Sequence, residues 1–281
     1  MRWGGWGEDG HDVALPEHAL EMLRSELGID PAAGSRPVAL EDVRLPDSRL
    51  DASVRERLAA VVGEEHVHAD RAARVGHAAG RSDPDLVRLR TGELAAAPDA
   101  VLAPGSAEQV QALLAACAEA RVAVVPFGGG TSVVGGVDPF AGGFPAVISL
   151  DLHRLKRVIA VDRTSLTATL EGGLFGPEAE RLLAAEGVTL GHFPQSFEYS
   201  TVGGWVATRS AGQASTGHGR IDELVEGLRL VAPNGEVAQR AVPATAAGPD
   251  LRELLVGSEG VLGVICEATL RVRALPAASH Y

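Results

Sequence analysis

The chain has 281 residues, a hydrophobic fraction of 46% and a formal net charge of -12, which suits one large or two modest globular domains. Aromatic residues make up 4%, too few to stack a single strand of nucleic acid, and the negative balance opposes polyanion binding through a broad basic surface. A phosphate-bearing small ligand stays open, because main-chain N–H groups bind anions without a positive domain.

The first residues, MRWGGWGEDGHD, contain no basic segment followed by an apolar run, so no secretory signal is expected. No apolar span reaches membrane-crossing length, and the expected compartment is the cytoplasm. Cys117 and Cys266 lie far apart in apolar surroundings and read as structural thiols in a reducing compartment. Residues 1–16 read as an extended arm, with Trp3 and Trp6 packing onto a domain. Residues 15–27 read as a short helix with Leu20, Leu23 and Leu27 on one face. A loop over 31–46 and a helix over 49–62, stopped by Gly63, follow. His66, His68 and His77 sit in a charged segment, but no further ligand completes a metal site.

Composition changes near Thr91. The run 100–103 reads as a strand ended by Pro104-Gly105, and Ser106 can cap a helix over 107–120. Val110, Leu113, Leu114 and Cys117 form the apolar stripe of that helix. A strand over 122–125 then feeds a glycine-dense loop, with no charged residue from Val122 to Val137. Adjacent glycines lose more backbone entropy than other residues. A ligand that must approach the main chain closely, such as a pyrophosphate, would justify them. A flexible surface loop or a hairpin is the plainer alternative. The flanking apolar strand and the missing charges favour a buried nucleotide site.

A Rossmann fingerprint needs its glycines between a strand and the next helix, and residues 138–144 do not read as that helix. Walker A fails as well, since no Gly-Lys-Ser/Thr follows. Short strands are expected over 146–150, 158–161 and 166–171, then a helix over 176–186 with Leu182 and Leu183 inward. Residues 187–200 read as a loop carrying His192, Pro194, Gln195, Ser196 and Tyr199. Thr201 can cap a helical turn through a second glycine-dense patch, where Arg209 is either a phosphate contact or a surface charge. Strands over 224–231 and 236–240 flank the turn 233–235, a loop spans 241–250, a short helix spans 251–255, and a long strand closes 257–272. The irregular alternation predicts an α+β domain with mixed sheets.

Three separated patches carry a resemblance: PFGGGTSV at 126–133, STVGGWVATRSAG at 200–212 and GSEGVLGVICEATLRV at 257–272. Together they resemble the FAD-binding domain of the vanillyl-alcohol oxidase and p-cresol methylhydroxylase superfamily. WGGWG at 3–7, RLRTGEL at 88–94, DLHRLKRVIAVD at 151–162 and GHFPQSFEYSTVGGW at 191–205 make the chain most similar to the alkyldihydroxyacetonephosphate synthases and their bacterial relatives. The resemblance implies non-covalent FAD and a two-subdomain fold over 85–275, divided near 165/166. A small, mainly helical segment would precede it over 1–84, and residues 276–281 would begin a missing cap domain.

By the same resemblance, Pro126, Gly128, Gly129, Gly130, Thr131 and Ser132 would wrap the pyrophosphate. Pro194, Gln195, Ser196, Thr201, Gly203, Gly204, Thr208 and Ser210 would line the cofactor further along. Glu259, Gly260, Gly263, Val264 and Ile265 would close its adenine and ribose side. The implied reaction exchanges the acyl chain of acyl-dihydroxyacetone phosphate for a fatty alcohol. Oxidation of a 2-hydroxy acid such as lactate or glycolate is the alternative, and a non-catalytic flavin module with a partner chain is a third reading. A small-molecule or lipid-like substrate needs the cap, which would supply the catalytic groups, so none is assigned to His192, His280 or Tyr281. His218 stands where many relatives have Tyr. A homodimer is allowed for; nucleic acid and a transmembrane segment are not expected.

Overall fold

The computed structural model describes residues 1–11, 14–30, 37–94, 96–242 and 246–276. Parts of the loops expected over 31–46 and 241–250, and residues 277–281 of the expected cap start, lie outside the described residues.

Helix α1 (Glu17–Leu27) forms where the spacing of three and four predicts it and ends at Gly28, φ +63°. Its Leu20 and Leu23 are only half-buried and Leu27 is exposed. Of the two arm tryptophans, Trp3 is half-buried, whereas Trp6 stays exposed instead of packing as expected. Helix α2 (Ala52–Val62) starts later than residue 49, because the Asp51 carboxylate accepts the Ser53 N–H at 2.8 Å and so caps it. Helices α3 (Arg71–Gly76) and α4 (Asp83–Thr91) were not expected. The α4 signal is the run Ser82-Asp83-Pro84-Asp85: Ser82 Oγ accepts the Asp85 N–H, the Asp85 carboxylate accepts the Ser82 N–H, and Pro84 stands in the first turn.

A four-stranded sheet follows, built from β1 (Val67–His68), β2 (Ala100–Leu102), β3 (Val122–Phe127) and β4 (Ala146–Asp151) in the order β1-β2-β4-β3. β2, β4 and β3 run parallel, and β1 is antiparallel. Helix α5 (Ala107–Ala120), capped by Ser106, links β2 to β3, and β4 then inserts between the two strands. Val110, Leu113, Ile148 and Leu150 are 0% exposed in the core they share with Leu58 of α2. Each such side chain contributes about 1.5–3 kcal/mol. β3 runs two residues past its expected end, through Pro126; it pairs only with β4, and an edge strand tolerates the missing N–H.

The rest of the chain builds a second sheet from β5 (Val158–Asp162), β6 (Thr167–Glu171), β8 (Val225–Ala232), β9 (Gly235–Gln239) and β10 (Val264–Arg271), in the order β5-β6-β10-β8-β9. Every pairing in it is antiparallel, so the expected mixing of directions occurs only in the first sheet. A separate pair joins β7 (Val188–Thr189) to β11 (Arg273–Ala274). Helices α6 (Gly176–Ala185) and α7 (Val202–Thr208) share one core with this sheet, where Leu183, Trp205, Leu170 and Leu270 are buried. The short helices α8 (Ser215–His218), α9 (Ile221–Leu224) and α10 (Leu251–Leu255) complete the chain.

The two sheets meet through α5. Val231 of β8 and Val264 and Cys266 of β10 belong to the core of the first sheet. Above them Arg229 pairs with Glu108 of α5 at 3.0 Å, Glu267 at 3.1 Å and Glu236 at 2.8 Å. The Gln111 amide donates to the Ala232 carbonyl at 3.0 Å. Cys117 and Cys266 are free and buried, as expected, and burial pushes each thiol up to about 12. At pH 8 both should resist a disulfide-exchange reagent in the native protein and react together on unfolding in urea. A thiol titrating rapidly in the native state would contradict this packing.

Candidate functional site

The three glycine-rich patches converge on one cavity of about 370 Å³. It lies beyond the carboxyl end of β3, the position where open parallel sheets offer their ligand crevices. Its wall takes residues 126–134, 136 and 137 from the first sheet's loop. Thr201, Gly203, Gly204, Trp205, Ala207, Thr208 and Ser210 come from α7 and its flanks. Glu259, Gly260, Gly263 and Ile265 come from the approach to β10, and Leu152, Ser196 and Ser200 fill in between.

The glycines of the first loop are required by protein as well as by any ligand. A Cβ on Gly129 would stand 1.7 Å from the Tyr199 carbonyl oxygen, and one on Gly128 would stand 2.2 Å from Thr201 Oγ1. Gly130 has φ +67°, and a Cβ there would meet the Phe127 ring at 2.4 Å. The loop is thus laid, at Gly129, directly on the main chain of Tyr199 and Ser200, and at Gly128 on the Thr201 side chain. Among the described residues, no N–H from Gly128 to Ser132 donates to a protein acceptor. Five consecutive unpaired amides beside a cavity are the donor pattern that suits an anion. Ser132 Oγ accepts the Gly136 N–H at 3.0 Å, and its carbonyl accepts the Arg81 N–H at 2.7 Å. Arg81, which the sequence reading did not single out, is buried there and caps the far end of the loop.

The second patch behaves as expected. Thr201 Oγ1 accepts the Gly204 N–H at 3.4 Å and caps α7. Gly203 lies against β6: its N–H donates to the Gly172 carbonyl at 2.7 Å, and a Cβ would come within 2.8 Å of the same oxygen. The Trp205 indole N–H donates to Ser200 Oγ at 2.6 Å, and that hydroxyl donates to the Ser196 carbonyl at 2.8 Å. Of the two readings of Arg209, neither the phosphate contact nor the plain surface charge fits. Its guanidinium bridges Asp222 at 3.3 Å and Glu253 at 3.1 Å and donates to the Val256 carbonyl, tying α7 to the segment before Glu259.

In the third patch Glu259 has φ +47° and Gly260 φ +83°, a sharp turn held by the Glu259 N–H on the Ala207 carbonyl at 3.0 Å. Gly263 has φ +150°, with the Val231 carbonyl 2.5 Å from where its Cβ would be. Among the described residues Glu259 supplies the single charged side chain on the cavity wall, and no Lys or Arg lines it. Pro194, Gln195 and Val264 do not line it: Pro194 is buried and bridges to Gly212, Gln195 is exposed, and Val264 lies in the core.

The histidines fall in separate places, and no cluster of three metal-ligating side chains occurs among the described residues. His77 Nε2 meets Asp151 at 3.1 Å, with its ring on Phe127. His192 is 1% exposed and stands 2.7 Å from Ser210 Oγ; burial pushes its imidazole down to about 4. His218 is exposed. Replacing Gly129 by Ala should therefore destabilise the protein by about 1–3 kcal/mol in urea titration. Gly217→Ala, whose methyl meets nothing within 4 Å, should leave the midpoint unchanged.

Known proteins are similar to this chain in sequence and fold. The family described as FAD binding domain matches residues 98–239. An alkyldihydroxyacetonephosphate synthase of Dictyostelium discoideum is 33% identical over 308 residues, which cover 100% of this chain and 50% of that protein. The mitochondrial D-lactate dehydrogenase (cytochrome) of Arabidopsis thaliana is 37% identical over 182 residues, 64% of this chain and 31% of its own. A solved alkyldihydroxyacetonephosphate synthase superposes with a TM-score of 0.89 at 31% identity, over 99% of this chain and 55% of that one. The chain thus spans about half the length of the synthases it matches. With the family match over half its length and an uncharged cradle of amides beside β3, the chain belongs to the FAD binding domain family, and FAD is its cofactor.

Proposed function

We propose that this chain is the flavin-holding part of an enzyme resembling alkyldihydroxyacetonephosphate synthase, exchanging an acyl for an alkyl chain on dihydroxyacetone phosphate. Similarity to the synthases over 100% of the chain carries this choice, since it takes in the N-terminal helices that lie outside the family match. Oxidation of a 2-hydroxy acid is the second reading, supported by the 37% identity to a D-lactate dehydrogenase over 64% of the chain. A flavin module that serves a separate catalytic chain is the third. The substrate is small or lipid-like, the assembly a homodimer and the compartment the cytoplasm, in keeping with two free thiols; no helix among the described residues is long and apolar enough to cross a membrane.

Within this reading the amides of Gly128 to Ser132 hold the pyrophosphate of non-covalent FAD. Pro126, Ser196, Thr201, Gly203, Gly204, Thr208 and Ser210 shape the wall along it, and Glu259, Gly260, Gly263 and Ile265 close the other end. Pro194, Gln195 and Val264, which do not line the cavity, flank residues that do. The flavin ring supplies the electrophilic and electron-accepting centre; the protein binds, orients and keeps water from it. The fold divides into two subdomains of the p-cresol methylhydroxylase type. The proposed subdomains span about 85–165 and 166–275.

The purified protein should be yellow, and denaturation should release a cofactor that chromatography identifies as FAD. A colourless protein that gains no thermal stability from added FAD would defeat the reading. Turnover of acyl-dihydroxyacetone phosphate with a fatty alcohol, against reduction of the flavin by D-lactate or glycolate, separates the first two readings. A stable holoprotein that does neither until a second chain is added favours the third.

Salt dependence tests how the phosphates are held. The chain carries a net charge of -12, and its cavity has Glu259 and no cationic side chain. Screening therefore relieves repulsion of the anionic cofactor instead of weakening an ion pair. The affinity for FAD should rise between roughly 50 mM and 500 mM NaCl, where the screening length shrinks several-fold. A steep loss of affinity would mean that Lys or Arg holds the phosphates.

A further inference from the structure

The hydroxyl groups on the cavity wall differ in what their protons are free to do. Ser200 donates to the Ser196 carbonyl at 2.8 Å, and Thr208 donates to the Gly204 carbonyl at 2.9 Å. Ser210 has one neighbour that decides its role: His192 Nε2, at 2.7 Å. The His192 ring is 1% exposed and lies edge-on to Trp205 at 5.2 Å, and its Nδ1 is buried without a hydrogen-bond partner. Burial pushes the imidazole down to about 4, so near pH 7 the ring is neutral and carries one N–H.

The two tautomers leave different debts. With the proton on Nδ1, a buried N–H has no acceptor, and the Ser210 proton is spent on Nε2. With the proton on Nε2, that N–H donates to Ser210 Oγ, the orphan is a lone pair, and the serine proton stays free on the cavity side. The second arrangement makes one more hydrogen bond as soon as an acceptor enters the cavity, and buried orphan N–H groups are the rarer kind.

We propose that His192 is a positioning residue which, as its Nε2–H tautomer, turns Ser210 into a hydrogen-bond donor aimed at an acceptor atom of the bound flavin nucleotide. No bond is made or broken; the imidazole fixes the direction of a hydroxyl proton. The inference rests on the reading of the cavity as a flavin site.

Side-chain nitrogen NMR of the wild-type protein, labelled at histidine, tests the tautomer at pH 7 with and without FAD. His192 should be protonated at Nε2 in both states; an Nδ1–H form or an imidazolium overturns the proposal. Fluorescence titration with FAD tests the consequence. Ser210→Ala should weaken binding roughly 3- to 10-fold, the range for one neutral hydrogen bond. His192→Gln, whose amide can still donate to Oγ, should stay near wild type. His192→Phe should lose as much as Ser210→Ala, and the double variant should lose no more than either. Wild-type affinity in Ser210→Ala, or additive losses in the double variant, overturns the proposal. If the wild type binds no FAD, the cavity reading fails, and the tautomer alone then decides the His192–Ser210 pair.

Discussion

The site depends on a close approach of two main chains. Gly129 lies on the backbone of Tyr199 and Ser200, where a methyl would fall 1.7 Å from the Tyr199 oxygen, and Gly128 packs on the Thr201 side chain. This contact brings the loop after β3 against the start of α7, and with it the first sheet against the second. The bulk of the adhesion comes from the shared core around α5 and from Arg229, whose three carboxylate partners stand on α5, β9 and β10. Those contacts supply the energy, and the glycine seam supplies the geometry. Without the seam the unpaired amides would still exist, but they would not face a wall.

An anion held by main-chain amides, as proposed for this loop, needs no cation, and the chain's charge explains why that matters. A lysine or arginine in a cavity would need desolvation and a partner. The arginines nearest the site are already committed: Arg209 to Asp222 and Glu253, and Arg81 to the carbonyls of Ala79, Gly80 and Arg2. They brace the loops from outside and leave the donating to amides and hydroxyls. The wall is therefore neutral apart from Glu259, which sits exposed on its left-handed turn beside Gly136.

Much of this was legible in the sequence, and for physical reasons. The glycine clusters, the Ser106 and Thr201 caps and the apolar stripe of α5 are local signals, and each landed within a residue or two of its place. The seam was not legible. Gly128 and Gly129 were read as room for a ligand, whereas the group that approaches them belongs to residues 70 positions away, a contact that no periodicity encodes. Arg209 looked like a phosphate ligand because it stands in a glycine-rich run; its partners Asp222 and Glu253 come from other elements. The α4 capping box is a local signal, since Ser82, Pro84 and Asp85 lie within four residues, and it went unassigned in the sequence. His192 carried no sequence signal at all, because its partner Ser210 reaches it only once α7 is folded over Trp205.

The constraints are distributed unevenly around the cavity, and this separates cofactor from substrate in the chain itself. Along the seam, Gly129, Gly203 and Gly263 each face backbone atoms within 3 Å of a would-be Cβ, so a substitution there moves backbone. At the rim the opposite holds: Val133 is 59% exposed, Val134 72% and Val261 85%, and side chains can change there without displacing the fold. On the proposed reading the seam would fix how a nucleotide is cradled, while the rim is free to diverge with the molecule that meets it. One fold can host different reactions, and this chain is similar to both a synthase and a D-lactate dehydrogenase.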